Sequence, residues 1–101
     1  MTDDSEEDQR AFFDRADSFI NLANQHCDTV ARGRVSASFM FALSRFNAWV
    51  CAMTCSSADE LKGDREGAIE YFVKEYRSML EQNLSDYTDH FDDYMRSEEK
   101  Q

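Results

Sequence analysis

The segment SASFMFALSRFNAWVCAMTC, residues 36–55, places apolar side chains on two faces of one helix. The first face carries Phe39, Met40, Leu43, Phe46, Val50 and Met53, and the second carries Phe41, Ala48, Cys51, Ala52 and Cys55 with Trp49 beside it. Apolar residues that recur every three or four positions form a stripe that packs against another surface. Because two stripes need two packing partners, we expect this segment to be the central helix of the fold.

Helical periodicity continues on both sides of this segment. On the N-terminal side, the 3,4 spacing is kept by Phe12, Ala16, Phe19, Ile20, Ala23, Cys27 and Val30. Gly33 then offers a left-handed stop, so the first helix is predicted over 6–31. Ser36 is the predicted N-cap of the second helix, over 36–55. The run Ser57-Ala58-Asp59-Glu60 fits a capping box and predicts a third helix over 58–82.

The C-terminal residues hold more helical pattern than a three-helix bundle needs. A helix running from 58 to 96 would be about 60 Å long, against roughly 38 Å for the first helix. The surplus carries an apolar and aromatic stripe, which we predict to be an interaction surface: Leu84, Tyr87, Phe91, Tyr94 and Met95. Either the chain breaks near 83–86, with Ser85 capping a short helix over 85–96, or the third helix continues and pairs with another subunit. We favour the break.

The predicted fold is therefore a single all-α domain over residues 1–101. It is a three-helix antiparallel bundle with an amphipathic C-terminal extension or a short fourth helix. A chain of 101 residues without proline and with only three glycines suits one helical core.

The net charge of −10 arises from 21 acidic and 11 basic residues. Residues 1–10 and residues 82–101 each carry a net charge of −4, whereas residues 11–81 carry −2. We expect the acidic ends to be frayed and solvated. A charge of this sign argues against direct binding to nucleic acid or to an anionic membrane surface.

The compartment is predicted from the N-terminus and the cysteines. The first residues, MTDDSEE, lack the basic start and apolar stretch of a secretory signal, and no run of about 18 apolar residues occurs. Three cysteines, an odd number, indicate reduced thiols. We expect a cytoplasmic protein.

No motif for catalysis, cofactor binding or a metal site is present, so no such residues are predicted. Zinc would need Cys27, Cys51 and Cys55 to converge, but a hairpin turning near residue 33 separates Cys27 from Cys51 by about 18 Å along the helix axis. The Glu-x-x-His pairs of di-iron bundles are absent, because Ala23 and Tyr87 precede the two histidines by three residues. We expect the cysteines to act as small apolar side chains.

Several polar residues lie on or beside the apolar stripes: Arg15, Asp17, Asn21, Arg45 and Asn47. A buried amide or charge needs hydrogen-bond partners. These five residues are predicted to form a polar core network that fixes helix register, and the alternative is a polar pocket for a ligand or a partner.

Four segments of the chain are similar to a bacterial family known as domain of unknown function 3144. They are residues 13–24, residues 32–38, residues 45–48, and residues 76–84 with 86–87. The resemblance extends over about residues 12–95 and implies a compact, all-helical cytoplasmic protein of proteobacterial type. It implies no activity, and the three cysteines lie outside the shared pattern.

Two functional hypotheses remain. The first is a small non-enzymatic interaction or accessory protein that acts through apolar helix faces, by forming a homodimer or by binding a protein partner. The alternative is an acidic mimic of nucleic acid that blocks a basic DNA- or RNA-binding protein.

Overall fold

The computed structural model describes residues 4–96. The described chain forms four helices: α1, Asp4–His26; α2, Arg32–Met53; α3, Ala58–Asp89; and α4, Phe91–Arg96. The predicted class is confirmed, because three long helices are followed by a short fourth one and residues 4–96 contain no strand. Of the acidic ends predicted to be frayed, residues 4–10 lie in α1 and residues 82–96 lie in α3 and α4 apart from His90, while residues 1–3 and 97–101 lie outside the described residues.

The connection between α1 and α2 differs from the prediction. Helix α1 ends at His26 and not at residue 31, because tight turns follow it. In these turns the backbone amides of Cys27 and Asp28 each donate a hydrogen bond to the carbonyl three residues earlier, at 3.1 Å. Helix α2 begins at Arg32, before the predicted N-cap Ser36. Gly33 lacks a left-handed backbone and lies within the first turn of α2, so it is not the stop that the sequence suggested.

The start of α3 is as predicted. Ser57 is its N-cap, and the Ser57 hydroxyl oxygen accepts a hydrogen bond from the Glu60 amide at 3.1 Å. The Glu60 carboxylate in turn accepts from the amide of Ser56 at 2.7 Å. The first bond satisfies one of the backbone donors that a helix start otherwise leaves without partners, and the returned bond reaches Ser56, one residue before the cap, where a standard capping box would reach Ser57.

The favoured break at 83–86 is wrong, because α3 is continuous to Asp89. Within that stretch, the Asn83 side-chain amide donates to the Met79 carbonyl of the same helix at 2.9 Å. The interruption falls instead at His90, whose φ of −125° and ψ of 33° are not helical. The short fourth helix therefore begins at Phe91 and not at Ser85.

The chain divides into two compact units, one ending at Phe41 and the other beginning at Ala42. In the first unit Val35 is buried, with 8% of its surface exposed, and Ile20, Ala23 and Cys27 are half-buried. In the second unit the half-buried residues are Asn47, Cys51, Cys55, Leu61, Ala68, Phe72, Asp86 and Tyr87.

Most apolar side chains of the described chain are exposed. Val35 is the one buried hydrophobic residue within residues 5–96, whereas twenty-three large apolar or aromatic side chains in that range are exposed. Isolated amphipathic helices are marginal in water, and helices in proteins gain most of their stability from packing an apolar face. The uncovered faces are therefore the feature of the fold that any functional account has to explain.

We predict that Ser57→Ala lowers the free energy of unfolding by about 0.5–2 kcal/mol, because the Glu60 amide loses its acceptor. Ser57→Asp is the matched control and should retain the wild-type value, since aspartate is an equally good N-cap. Urea unfolding followed by circular dichroism measures both. Equal stabilities of the alanine variant and the wild type would contradict this role for Ser57.

Candidate interaction surfaces

A groove of about 520 Å³ lies between α2 and α3 in the second unit. Its α2 wall consists of small side chains and an amide, namely Ser44, Asn47, Ala48 and Cys51. Its α3 wall consists of Ala58, Leu61, Lys62, Arg65, Ala68, Ile69 and Phe72. Both walls extend to the turn between the two helices, where Cys51 and Ala58 lie.

A second face of α2 is apolar and exposed. It consists of Phe39, Leu43, Phe46, Val50 and Met53, which we call the α2 stripe; these side chains are between 39% and 66% exposed. Trp49 lies beside the stripe, with its ring centroid 5.6 Å from that of Phe46. Of the second face predicted for the central helix, Ala48 and Cys51 line the groove, whereas Phe41 and Ala52 are exposed.

The predicted C-terminal surface is divided by a local contact. Tyr87 and Tyr94 stack on one another, with ring centroids 4.2 Å apart and planes 20° from parallel. Leu84, Phe91 and Met95 remain at least half exposed. These three residues are the part of the predicted stripe that is free to contact another molecule, whereas the two tyrosines hold α4 against the end of α3.

Asp86 is the hydrogen-bonding centre of the junction between α3 and α4. The Tyr94 hydroxyl donates to Asp86 Oδ2 at 2.5 Å, and His90 Nδ1 lies 3.2 Å from both the Asp86 carbonyl oxygen and Oδ1. The backbone carbonyl of Asp86, reinforced by its carboxylate, raises the pKa of His90. The hydrogen bond to Asp86 likewise raises the pKa of Tyr94 by holding its proton.

The predicted polar core network is not formed as expected. Arg15, Asp17 and Asn21 are exposed on α1, and Arg45 is exposed on α2. Asn47 alone is half-buried, where it lines the groove. The prediction assumed that the apolar stripes beside these residues would be covered, and the stripes are exposed, so four of the five side chains remain in water.

The turn between α2 and α3 brings Cys55, Glu60 and Asp64 together. Their ligand atoms lie within 4.8 Å of one another, and a divalent cation could be held by such a group. Local hydrogen bonds account for the arrangement, because Glu60 closes the capping box and the Cys55 thiol donates to Asp64 Oδ2 at 3.7 Å. Partial burial, followed by the nearby carboxylates, raises the pKa of the Cys55 thiol.

Two features of these sites were not anticipated from the sequence. The contact between Asp86 and Tyr94 spans eight residues across a helix interruption, so no helical spacing reveals it. The Cys55 cluster depends on how the turn folds. The sequence feature that could have predicted this cluster is the capping box directly after Cys55. The hydrogen bond from the Ser56 amide fixes the Glu60 carboxylate over the turn, close to this cysteine.

The fold and these surfaces define a small all-α protein with exposed apolar helix faces. The family described as "Protein of unknown function (DUF3144)" matches residues 12–88. The chain belongs to this family, which confirms the resemblance seen in its sequence.

The structure is also similar to the NMR structure of the protein NB7890A from Shewanella sp., with a TM-score of 0.71 and 34% sequence identity. The match covers 87% of this chain and 94% of that chain. No curated protein matches the sequence. Within residues 4–96, no helix combines the length and the apolar character that crossing a membrane requires.

We predict that His90 stabilises the protein more at low pH than at high pH. The folded-state pKa of His90 is raised, so its contribution is complete below the ordinary histidine pKa of about 6.5 and is lost as the pH rises through the folded-state pKa. The difference in Tm between the wild type and His90→Gln should therefore shrink between about pH 5.5 and 8.5. The two proteins differ only at residue 90, so the comparison isolates His90, and a Tm difference that grows with pH would contradict the prediction.

We predict that Cys55 is alkylated slowly near neutral pH, because the thiolate is the reactive form and the pKa of this thiol is raised. Asp64→Asn removes a neighbouring negative charge and should shift the rate profile of Cys55 towards lower pH. Peptide-resolved mass spectrometry after iodoacetamide pulses measures the profile. An unchanged profile in Asp64→Asn would rule out the carboxylate as a cause.

Proposed function

We propose that this protein is a small, non-enzymatic interaction protein that acts through its apolar helix faces and associates with itself. One observation carries the proposal: within residues 5–96, a single hydrophobic residue, Val35, is buried. The chain has the helices of a folded protein without the buried surface that would stabilise them, and a second polypeptide supplies that surface.

The energetics support this proposal. Ordering the backbone costs roughly 1–2 kcal/mol per residue, and burial of apolar surface returns about 25 cal/mol per Å². Half-exposed aromatic and aliphatic side chains return only part of that gain. Extended apolar patches on a protein surface mark sites of interaction with other macromolecules. Association that covers the patches therefore contributes to folding and to binding in the same step.

An enzymatic role has less support than an interaction role. The Cys55 thiol has a raised pKa, which disfavours the nucleophilic thiolate. The His90 imidazole is tied to Asp86, at the end of α3. Both groups are accounted for by the local structure that holds them. We place the protein in the cytoplasm, where cysteines such as its three free thiols stay reduced.

Mimicry of nucleic acid remains the alternative function. It would use the acidic surface of the chain, since its net charge is −10. Helix α2 opposes this use, because Arg32, Arg34 and Arg45 are its only charged residues. A mimic would bind a basic partner in a way that salt weakens strongly, whereas apolar faces bind with little dependence on salt.

We predict that the full chain has a solution mass that is a multiple of its 11.8 kDa, at micromolar concentration and in both low and high salt. Its unfolding midpoint should rise with protein concentration, because association stabilises the folded state by mass action. Light scattering and thermal unfolding at several concentrations measure the two properties. A monomer whose unfolding midpoint is independent of concentration would contradict self-association.

A further inference from the structure

We propose that the α2 stripe binds the α2 stripe of a second copy of this chain, with the two helices antiparallel and related by a two-fold axis near Phe46. This inference rests on the proposed function and specifies its partner and its surface. The stripe consists of Phe39, Leu43, Phe46, Val50 and Met53, all exposed in the single chain.

The spacing of the stripe is that of a helix that pairs with another helix. Its five residues follow one another at intervals of 4, 3, 4 and 3 positions. The mean interval of 3.5 is the repeat that keeps an apolar face directed at a partner helix over several turns. The flanking positions hold Met40, Ala42, Asn47 and Trp49, none of which is charged. Charged flanking residues would favour a partner of opposite charge, and these positions are uncharged. The face can therefore pair with an identical face without repulsion between flanking charges.

Antiparallel pairing about Phe46 produces complementary layers. Phe46 meets its own symmetry mate, Leu43 lies level with Val50 of the second copy, and Phe39 lies level with Met53. Beside the stripe, the bulky Trp49 lies level with the small Ala42. The small Ala42 leaves space for the Trp49 ring at this level, as close packing requires.

Charge favours the antiparallel direction over the parallel one. Arg32 and Arg34 stand in the first turn of α2, and the helix contains no acidic residue. In a parallel pair, the two sets of arginines and the two positive helix ends would lie side by side. In the antiparallel pair, the arginines of the two copies lie at opposite ends of the interface, so this repulsion is absent. Each pair of arginines then lies towards the negative C-terminal end of the opposing α2, which also favours this direction.

The apolar area available is sufficient for a stable dimer. The five stripe residues with Met40 and Trp49 are 39–66% exposed. At about 200 Å² for a large side chain, seven such residues offer about 700 Å² per copy, or about 1,400 Å² for the pair. Specific protein interfaces bury about 1,200–2,000 Å² in total.

Disulfide trapping tests the register and the direction. In the full chain with Cys27, Cys51 and Cys55 changed to alanine, single cysteines are introduced as Phe46→Cys, Leu43→Cys or Val50→Cys. Diamide is the oxidant and accepts the two electrons and two protons released as two thiols join. We expect Phe46→Cys to form a covalent dimer. Leu43→Cys and Val50→Cys should each stay monomeric on a non-reducing gel and become linked to each other when mixed.

The mixture of the two variants retains Phe46, so it tests the interface even if Phe46→Cys fails to fold. Self-linking of Leu43→Cys and of Val50→Cys would overturn the antiparallel direction. A dimer by light scattering that links at none of these positions would overturn the α2 interface and leave the proposed self-association standing. A monomer by light scattering would overturn both.

A matched pair of charge substitutions provides an independent readout. Val50→Glu places a carboxylate in the stripe, whereas Ala52→Glu places one on an exposed part of α2 outside it. Val50→Glu should raise the dimer dissociation constant about a hundredfold or more, because the charge would be buried without a partner. Ala52→Glu should leave the constant within about threefold of the wild type. Equal effects of the two substitutions would overturn the proposal.

Discussion

The apolar faces of the helices have to be covered, and the rest of the structure depends on this constraint. Helix α2 shows it most clearly, because small residues line its groove face while large residues of the α2 stripe are exposed. A helix that is apolar on two sides is stable in water only when both sides are packed. Val35 alone is buried within residues 5–96, so under the proposed self-association the contacts between copies would supply most of the free energy that holds these helices in place.

Charge limits which surfaces take part in that association. Helix α2 carries three arginines and no acid, while α3 and α4 include many carboxylates, among them Asp86, Asp92 and Asp93. A protein of net charge −10 repels copies of itself at long range. The one helix without acidic residues is therefore the surface where two copies approach with the least repulsion between carboxylates. Apolar character and charge select the same helix.

The class of fold and the start of α3 were predictable because their signals are local. Ser57 and Glu60 lie three residues apart and bond to nearby backbone, so the sequence alone identifies the cap. The interruption at His90 was not predictable, since it accompanies contacts from Asp86 to residues four and eight positions further on. Gly33 was misleading because glycine permits a left-handed backbone without requiring one. The sequence identified the α2 stripe as apolar. Whether the stripe is exposed depends on which other parts of the chain pack against it, and the spacing of apolar residues does not show this.

If folding and association are coupled, local hydrogen bonds that stabilise the helices also affect the stability of the assembly. If contacts between copies stabilise the helices, any interaction that favours the helical conformation also favours the assembly, because the two equilibria are linked. The cap at Ser57 orients α3 as it leaves the turn, and the Asp86 cluster fixes α4 against the end of α3. By ordering the helices before association, the cap and the cluster each reduce the loss of conformational entropy that association would otherwise entail. In the proposed dimer, the polar residues would therefore act on binding by ordering the helices, while the apolar residues would supply the contact area.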